Sequence, residues 1–177
     1  MPIDPVSEPI VTERLHLRRS VPDDAEEISA YRSDPEVNRY QGWERTDPEG
    51  VRAEIGEMAA RTPGEAGWVQ FSVIEREGGR LVGDVGLSPA EGEPGVIKVG
   101  YTISPRFQGH GYATEAVSAL MDFAFERLGA EVVRAHASGD NTRSHRVAEK
   151  LGMRLVERFR RTDGGETWYG VRYERRR

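Results

Sequence analysis

The sequence contains no cysteine among its 177 residues, which excludes disulfides, thiolate metal sites and a cysteine nucleophile and fits a reducing compartment. Any catalysis therefore uses oxygen or nitrogen groups. No run approaches the ~20 apolar residues of a membrane span, and Met1-Pro2-Ile3-Asp4-Pro5 lacks the basic-then-apolar order of a secretory leader. A cytoplasmic protein with no membrane partner is expected. An excess of positive charge is missing as well. The 25 basic residues face 30 acidic ones for a formal net charge of −5, which argues against a nucleic-acid partner held by a global field. What is present, 37% hydrophobic and 31% charged residues, suits one globular domain over 1–177 with a sizeable core. Residues 1–9 and 174–177 are expected to be flexible tails.

The chain is organised around Ser104 to Glu115, S-P-R-F-Q-G-H-G-Y-A-T-E. A strand-like run, Val96 to Ile103, enters a glycine-spaced turn that opens into an amphipathic helical run, Ala116 to Leu128. The first N–H groups of a helix have no intrahelical partner and sit at the positive end of its dipole, so this is an anion-binding design. Gly109 and Gly111 permit positive φ and close backbone approach. An ordinary strand-to-helix turn satisfies the same spacing, because Gly-x-Gly is common.

Upstream, Thr12 to Arg19 alternates with Leu15 and Leu17 on one face, as a half-buried strand does. His16 falls on the polar face with no second metal-binding residue spaced with it, so no metal site is expected. Ser20-Val21-Pro22-Asp23 predicts a capping box and a helix to about Ser33. A short helix follows over Pro35 to Tyr40, then Tyr40 and Trp43 as a packing plug or a cleft wall. Asp47-Pro48-Glu49 opens a helix through Ala60 with Val51, Ile55 and Met58 on one stripe. Trp68–Ile74 and Leu81–Leu87 form a hairpin across Glu77-Gly78-Gly79-Arg80. Gly83 and Gly86 imply a bulge or a close backbone approach. Asp84 reads first as a solvent-facing carboxylate and second as a base in a cleft.

Downstream, Val132 to Ala137 is a short strand whose His136 is a packed neutral ring or a proton acceptor. Asn141 is a good N-cap, Val147 and Leu151 share a helix face, and Gly152 is a C-cap. His145 reads as a solvent- or phosphate-side residue. Met153–Arg161 and Thr167–Tyr173 form a closing hairpin, with Arg175-Arg176-Arg177 in solvent. This mixed order of strands and helices excludes a doubly wound parallel fold and points to α+β.

Gln108-Gly109-His110-Gly111-Tyr112-Ala113 resembles the Q/R-x-x-G-x-G/A coenzyme A signature of the GNAT N-acetyltransferase superfamily. Thr12-Glu13-Arg14-Leu15, Tyr101 to Pro105, Ala113 to Ala116 and Asn141 to Met153 are similar to its RimJ/RimL-like branch, which includes ribosomal-protein N-terminal acetyltransferases. The resemblance covers most of the chain. It implies a single-domain GNAT fold: a mixed, mostly antiparallel twisted sheet flanked by helices, with the cofactor wedged between two splayed central strands. The first of these would carry a bulge that Gly100 permits.

The same resemblance implies acetyl-CoA as co-substrate. Gln108, Gly109, His110, Gly111, Tyr112, Ala113 and Thr114 would hold its pyrophosphate, and Tyr101, Thr102 and Ile103 would pair with its pantetheine arm, which Asn141 also contacts. Ser144 is implied as the catalytic residue, a hydrogen-bond donor or acid to the leaving thiolate. The acceptor would be a primary amine, first of all a protein or peptide N-terminus. Alternatives are an aminoglycoside or polyamine acetyltransferase, or a non-catalytic acyl-CoA-binding regulator. A nucleotide phosphate binder fits poorly, since the loop lacks a Gly-Lys-Ser/Thr ending. The resemblance also allows a homodimer. Lys98 stands where the branch has a carboxylate, so it is expected to point away from the cleft or to meet a negative charge on the substrate.

Overall fold

The computed structural model describes residues 8–163 and 165–177. Of the expected N-terminal tail, residues 1–7 lie outside this range. One eight-stranded sheet in the order β1-β2-β3-β4-β5-β6-β8-β7 organises the fold. Its strands are β1 (Ile10–Val11), β2 (Leu15–Arg19), β3 (Val69–Glu75), β4 (Leu81–Pro89), β5 (Val96–Ile103), β6 (Val132–Ser138), β7 (Arg154–Asp163) and β8 (Glu166–Arg176). All neighbours are antiparallel except β5 and β6, which run parallel. The helices are α1 (Ala25–Arg32), α2 (Pro35–Asn38), α3 (Pro48–Ala59), α4 (Tyr112–Glu126) and α5 (Thr142–Lys150). No helix among the described residues is long and apolar enough to cross a membrane.

The period of two along each strand assigns the sheet two coats. Leu17, Phe71, Val85, Leu87 and Val99 join one cluster with Ala116, Val117, Leu120, Met121 and Ala124 of α4. Full burial of a side chain such as Leu120 or Met121 contributes about 1.5–3 kcal/mol. The opposite coat is α1 and α3, whose Ala25, Ile28, Tyr31, Val51, Ile55 and Met58 are buried together with Leu81. The predicted stripe of α3 is therefore its packing face.

The capping box closes the 3-10 turn Pro22–Asp24 that leads into α1, one residue further along than the spacing predicts. Asp24, not Asp23, accepts the N–H of Val21 at 2.9 Å, while Ser20 is buried with its hydroxyl 2.8 Å from that of Ser72. Arg18 grips the same carboxylate at 2.7 and 2.8 Å. Burial alone would raise the Asp24 carboxyl, but Arg18, the Val21 N–H and Ser72 more than offset it and hold the pKa below the ordinary value.

Three further expectations are corrected. First, β5 carries no bulge: it pairs with β4 in unbroken register from Gly83↔Ile103 to Pro89↔Ile97. Gly100 and Gly86 instead make room for Trp68, whose ring atoms lie 3.1 and 2.4 Å from where their Cβ atoms would stand. Second, the central helix begins at Tyr112 rather than Ala116, because Gly111 turns the chain directly into it. Third, residues 174–176 are not a free tail. They are the end of β8, with Arg176 opposite Val132, and the Arg177 N–H donates to Glu131 O at 3.0 Å.

The expected splay is present. Strands β5 and β6 pair only from Val96↔Val132 to Val99↔Ala135, and beyond that His136–Ser138 pair with β8 alone. A V-shaped opening results, with the glycine loop and the start of α4 at the free end of β5.

Candidate active site

The glycine loop is built to present backbone. Gly109 and Gly111 have φ of 81° and 80°, and Gly111 is the N-cap of α4 without a capping side chain. The leading N–H groups of Tyr112, Ala113 and Thr114 are thus left for an external acceptor. A Cβ at Gly109 would meet nothing within 4 Å, so the loop surface is open. Gln108 reaches back to Ile103 O at 2.9 Å and also accepts from Arg143 of α5, tying the loop to both arms of the V.

Arg14, at the mouth of β2, fixes the loop from the other side. Its Nη1 donates to His110 O at 2.9 Å and its Nε to Glu115 at 2.7 Å, while the Thr12 hydroxyl also donates to Glu115 at 2.6 Å. The single acidic residue in the first turn of α4 is thereby neutralised, which preserves the positive field of the helix start. Sequence reasoning placed Arg14 in a motif but gave it no role.

The ring positions of the predicted loop residues differ from their backbone positions. His110 folds onto Phe107 O and Gln108 O and stacks on Tyr112. The Tyr112 hydroxyl donates to Glu75, and Thr114 lines an outer groove with Ile10 and Ser118. These residues offer the opening their N–H groups, not their side chains. The same holds for Ile103, whose side chain is in the core.

Inside the V is a cavity of about 80 Å³ lined by Tyr40, Gly100, Tyr101, Asn141 and Ser144, among others. Asn141 caps α5 by accepting the Ser144 N–H at 3.2 Å, and this aims the Ser144 hydroxyl inward. The Tyr101 hydroxyl donates to Ser144 Oγ at 3.2 Å. Burial raises the Tyr101 phenol and the Ser144 hydrogen bond opposes the rise. The predicted pair of Asn141 and Ser144 is therefore together, with Tyr101 added as a hydroxyl donor. His145, expected on the solvent or phosphate side, turns back to Ser138 O at 2.9 Å and packs on Tyr173.

On the other side of β5 is a second cavity, of about 310 Å³, lined by Arg32, Trp43, Glu54, Trp68, Gln70 and Asp84. Gln41, Gly100 and Tyr101 belong to both cavities. Trp43 is a cleft wall rather than a core plug, with the Arg32 guanidinium 4.6 Å from its ring centre. Gln70 Nε2 and Arg32 Nε are buried without hydrogen-bond partners. Asp84 is not solvent-facing: it is 7% exposed and accepts from the Tyr31 hydroxyl. Burial pushes its pKa up to about 6, against the downward pull of the Arg32 charge and the Tyr31 hydrogen bond.

Lys98 lines neither cavity. It lies beside Arg134 in the register of β5 and β6. Burial, then the cations of Arg134, Arg172, Arg161 and Lys98, lower the His136 pKa and leave its ring neutral near pH 7.

Comparison with known proteins agrees with this geometry. Residues 14–154 match the model of the acetyltransferase (GNAT) domain. The uncharacterised N-acetyltransferase p20 of Bacillus licheniformis is 30% identical over 146 residues, 82% of each chain. A GNAT-family acetyltransferase of Bacillus anthracis superposes with a TM-score of 0.84 at 28% identity, covering 96% of this chain and 98% of that one. RimL, a ribosomal L7/L12 alpha-N-protein acetyltransferase solved with coenzyme A, has the same fold, with a TM-score of 0.81 at 16% identity over 96% of this chain and 98% of its own. A splayed sheet, an uncapped helix start at its opening and these likenesses converge: the chain belongs to the GNAT family of N-acetyltransferases and shares the fold of its RimL members.

Proposed function

We propose that the protein transfers the acetyl group of acetyl-CoA to the N-terminal amine of a protein or peptide. The observation that carries this reading is the meeting of two cavities at Gln41, Gly100 and Tyr101, which brings two substrates to one strand from opposite sides. The V suits acetyl-CoA: it has unpaired helix N–H groups for a pyrophosphate and, for a pantetheine arm, a strand edge that β6 does not pair beyond Val99. Acetyl-CoA would supply the activated acyl carbon. The loop from Gly109 to Thr114 would hold its phosphates, a β5 N–H would meet the developing oxyanion, and Ser144 would donate to the departing sulfur.

A cavity of about 310 Å³ accommodates one terminal residue, and the unpaired donors of Gln70 and Arg32 match the carbonyl that follows an α-amine. Glu54 and Glu57 in the same wall favour a second reading, a polyamine or aminoglycoside acceptor. Release of free coenzyme A distinguishes the two. Peptide N-termini are expected to support it, and turnover of small cationic amines alone would establish the second reading instead. A melting shift with acetyl-CoA, but release with no amine, would identify a binding regulator.

Gly111→Asp tests the cofactor assignment. At a hundred times its dissociation constant acetyl-CoA is expected to stabilise the wild type by about 2.7 kcal/mol. The variant places a carboxylate against the phosphates at a position whose φ already disfavours a side chain. Equal melting shifts in the two proteins would rule out the loop as the phosphate site.

A further inference from the structure

Acetyl transfer needs a group to take the amine's proton, and Lys98 occupies the position from which a carboxylate was expected to act. We propose that Asp84 is the proton acceptor, reached from the acceptor cavity on the side of β5 opposite the coenzyme cleft. This rests on the acetyl-transfer reading above.

Position supports it first. Asp84 on β4 stands opposite Thr102 on β5, two residues from the Gly100 shared by both cavities and so roughly 7 Å along the strand. Among the cavity's carboxylates it is also the one without a cation in hydrogen-bond contact. Glu54 pairs with Arg32 at 2.9 Å and Glu57 with Arg45 at 3.0 Å, whereas Asp84 Oδ2 accepts from the neutral Tyr31 hydroxyl. The charged and titratable groups around it are Tyr31 and Arg32 of α1 and Glu54 of α3, with Glu57 and Arg61 in the same cavity wall and neutral Ser72 and Thr102 opposite it on the flanking strands. A carboxylate in this setting stays ionised near neutral pH and is more basic than an exposed one. His136 is less suited, since the cations around it repel an approaching ammonium.

The step balances as follows. The amine nitrogen bonds to the acetyl carbon, the C–S bond breaks with its electron pair passing to sulfur, and the proton lost from nitrogen goes to Asp84. The sulfur takes a proton from the Ser144 and Tyr101 hydroxyls. Asp84 returns its proton to solvent, and the hydroxyl pair recovers one from it.

The competing role for Asp84 is structural, as the acceptor that fixes Tyr31 against the sheet. The pH dependence of kcat/KM separates the two when measured from about pH 5 to 9 with acetyl-CoA and a peptide amine. Asp84→Asn keeps the shape and an acceptor for Tyr31. It is expected to lose on the order of 10²-fold or more in kcat/KM and the acid limb of Asp84, while its acetyl-CoA melting shift persists. Tyr31→Phe deletes a hydrogen bond that holds the Asp84 pKa down, so its limb should move to higher pH. The amine's own titration, at about 8, is common to all variants and serves as the reference.

A folded Asp84→Asn enzyme with the wild-type limb would overturn the proposal, as would a limb that moves in His136→Gln but not in Tyr31→Phe. Should Asp84→Asn fail to fold, Tyr31→Phe decides alone, and an unmoved limb rejects the assignment. A wild-type chain that binds acetyl-CoA yet acetylates no amine would sink the transfer reading itself, and this proposal with it, before any variant is compared.

Discussion

Replacing Ser144 by alanine is expected to lower turnover on the order of 10²-fold or more, the usual size of general acid catalysis, with acetyl-CoA affinity nearly unchanged. The expectation follows from what the substitution leaves in place. Asn141 caps α5 through the backbone N–H of residue 144, and that bond needs no side chain. The helix start and the cavity wall therefore survive, and only the hydroxyl that accepts from Tyr101 at 3.2 Å is lost. The Tyr101 phenol, raised by burial, is then left without the hydroxyl proposed to link it to the departing sulfur. Steady-state kcat together with the acetyl-CoA dissociation constant reads the result. Loss of affinity with kcat intact would make Ser144 a binding contact. A Tyr101→Phe, Ser144→Ala double variant should be little worse than Ser144→Ala alone, because the two hydroxyls act as one unit.

The second large effect is on the fold. Gly83→Ala is expected to destabilise the protein by about 3 kcal/mol or more. The new Cβ would stand 2.2 Å from Thr102 O and 2.9 Å from Ile103 Cα. Both are backbone atoms of the neighbouring central strand, so no side chain can rotate away to relieve the contact. Strands β4 and β5 would have to separate where Asp84 and the cavity walls depend on their spacing. Gly109→Ala provides the contrast: nothing lies within 4 Å of its Cβ position, so only the cost of a positive φ remains, about 1–2 kcal/mol. Denaturant midpoints at constant m-value measure both. A Gly83→Ala midpoint no lower than that of Gly109→Ala would show that the sheet relaxes at this point.

Much of this architecture was legible in short-range pattern. The alternation of Leu15 and Leu17, the stripe of Val51, Ile55 and Met58, the cap at Asn141 and the glycine turn before α4 each depend on neighbours within a few residues. The close approach implied by Gly83 and Gly86 was legible for the same reason, though not the identity of what approaches. The misreadings at Asp84, Gly100, Ser20 and the C-terminus involve partners distant in sequence. Asp84 looks like a surface residue between Gly83 and Val85 until α1 and α3 cover that face of the sheet. Gly100 suggests a bulge until the Trp68 ring fills the space above it. Ser20 has the chemistry of an N-cap, but its hydroxyl is engaged by that of Ser72, and Asp24 has Arg18 to hold it in the capping position. The basic C-terminus reads as a solvated tail because the sequence does not reveal that β6 needs a partner on its far side. The second cavity was the least legible feature, since Arg32, Trp43, Gln70 and Asp84 come from four separate segments.

The placement of the aromatic residues also gives the protein an optical reporter. It has three tryptophans. Trp43 and Trp68 both border the second cavity, and Trp68 presses against Gly100 from behind β5. Trp168 is on the far hairpin, 43% exposed and edge-on to Phe159. With that distant fluorophore replaced by phenylalanine, the remaining tryptophan emission would come entirely from the cavity wall. Filling of the cavity by an amine, or displacement of β5 by a ligand in the V, would then be visible as a change in colour and intensity without any label.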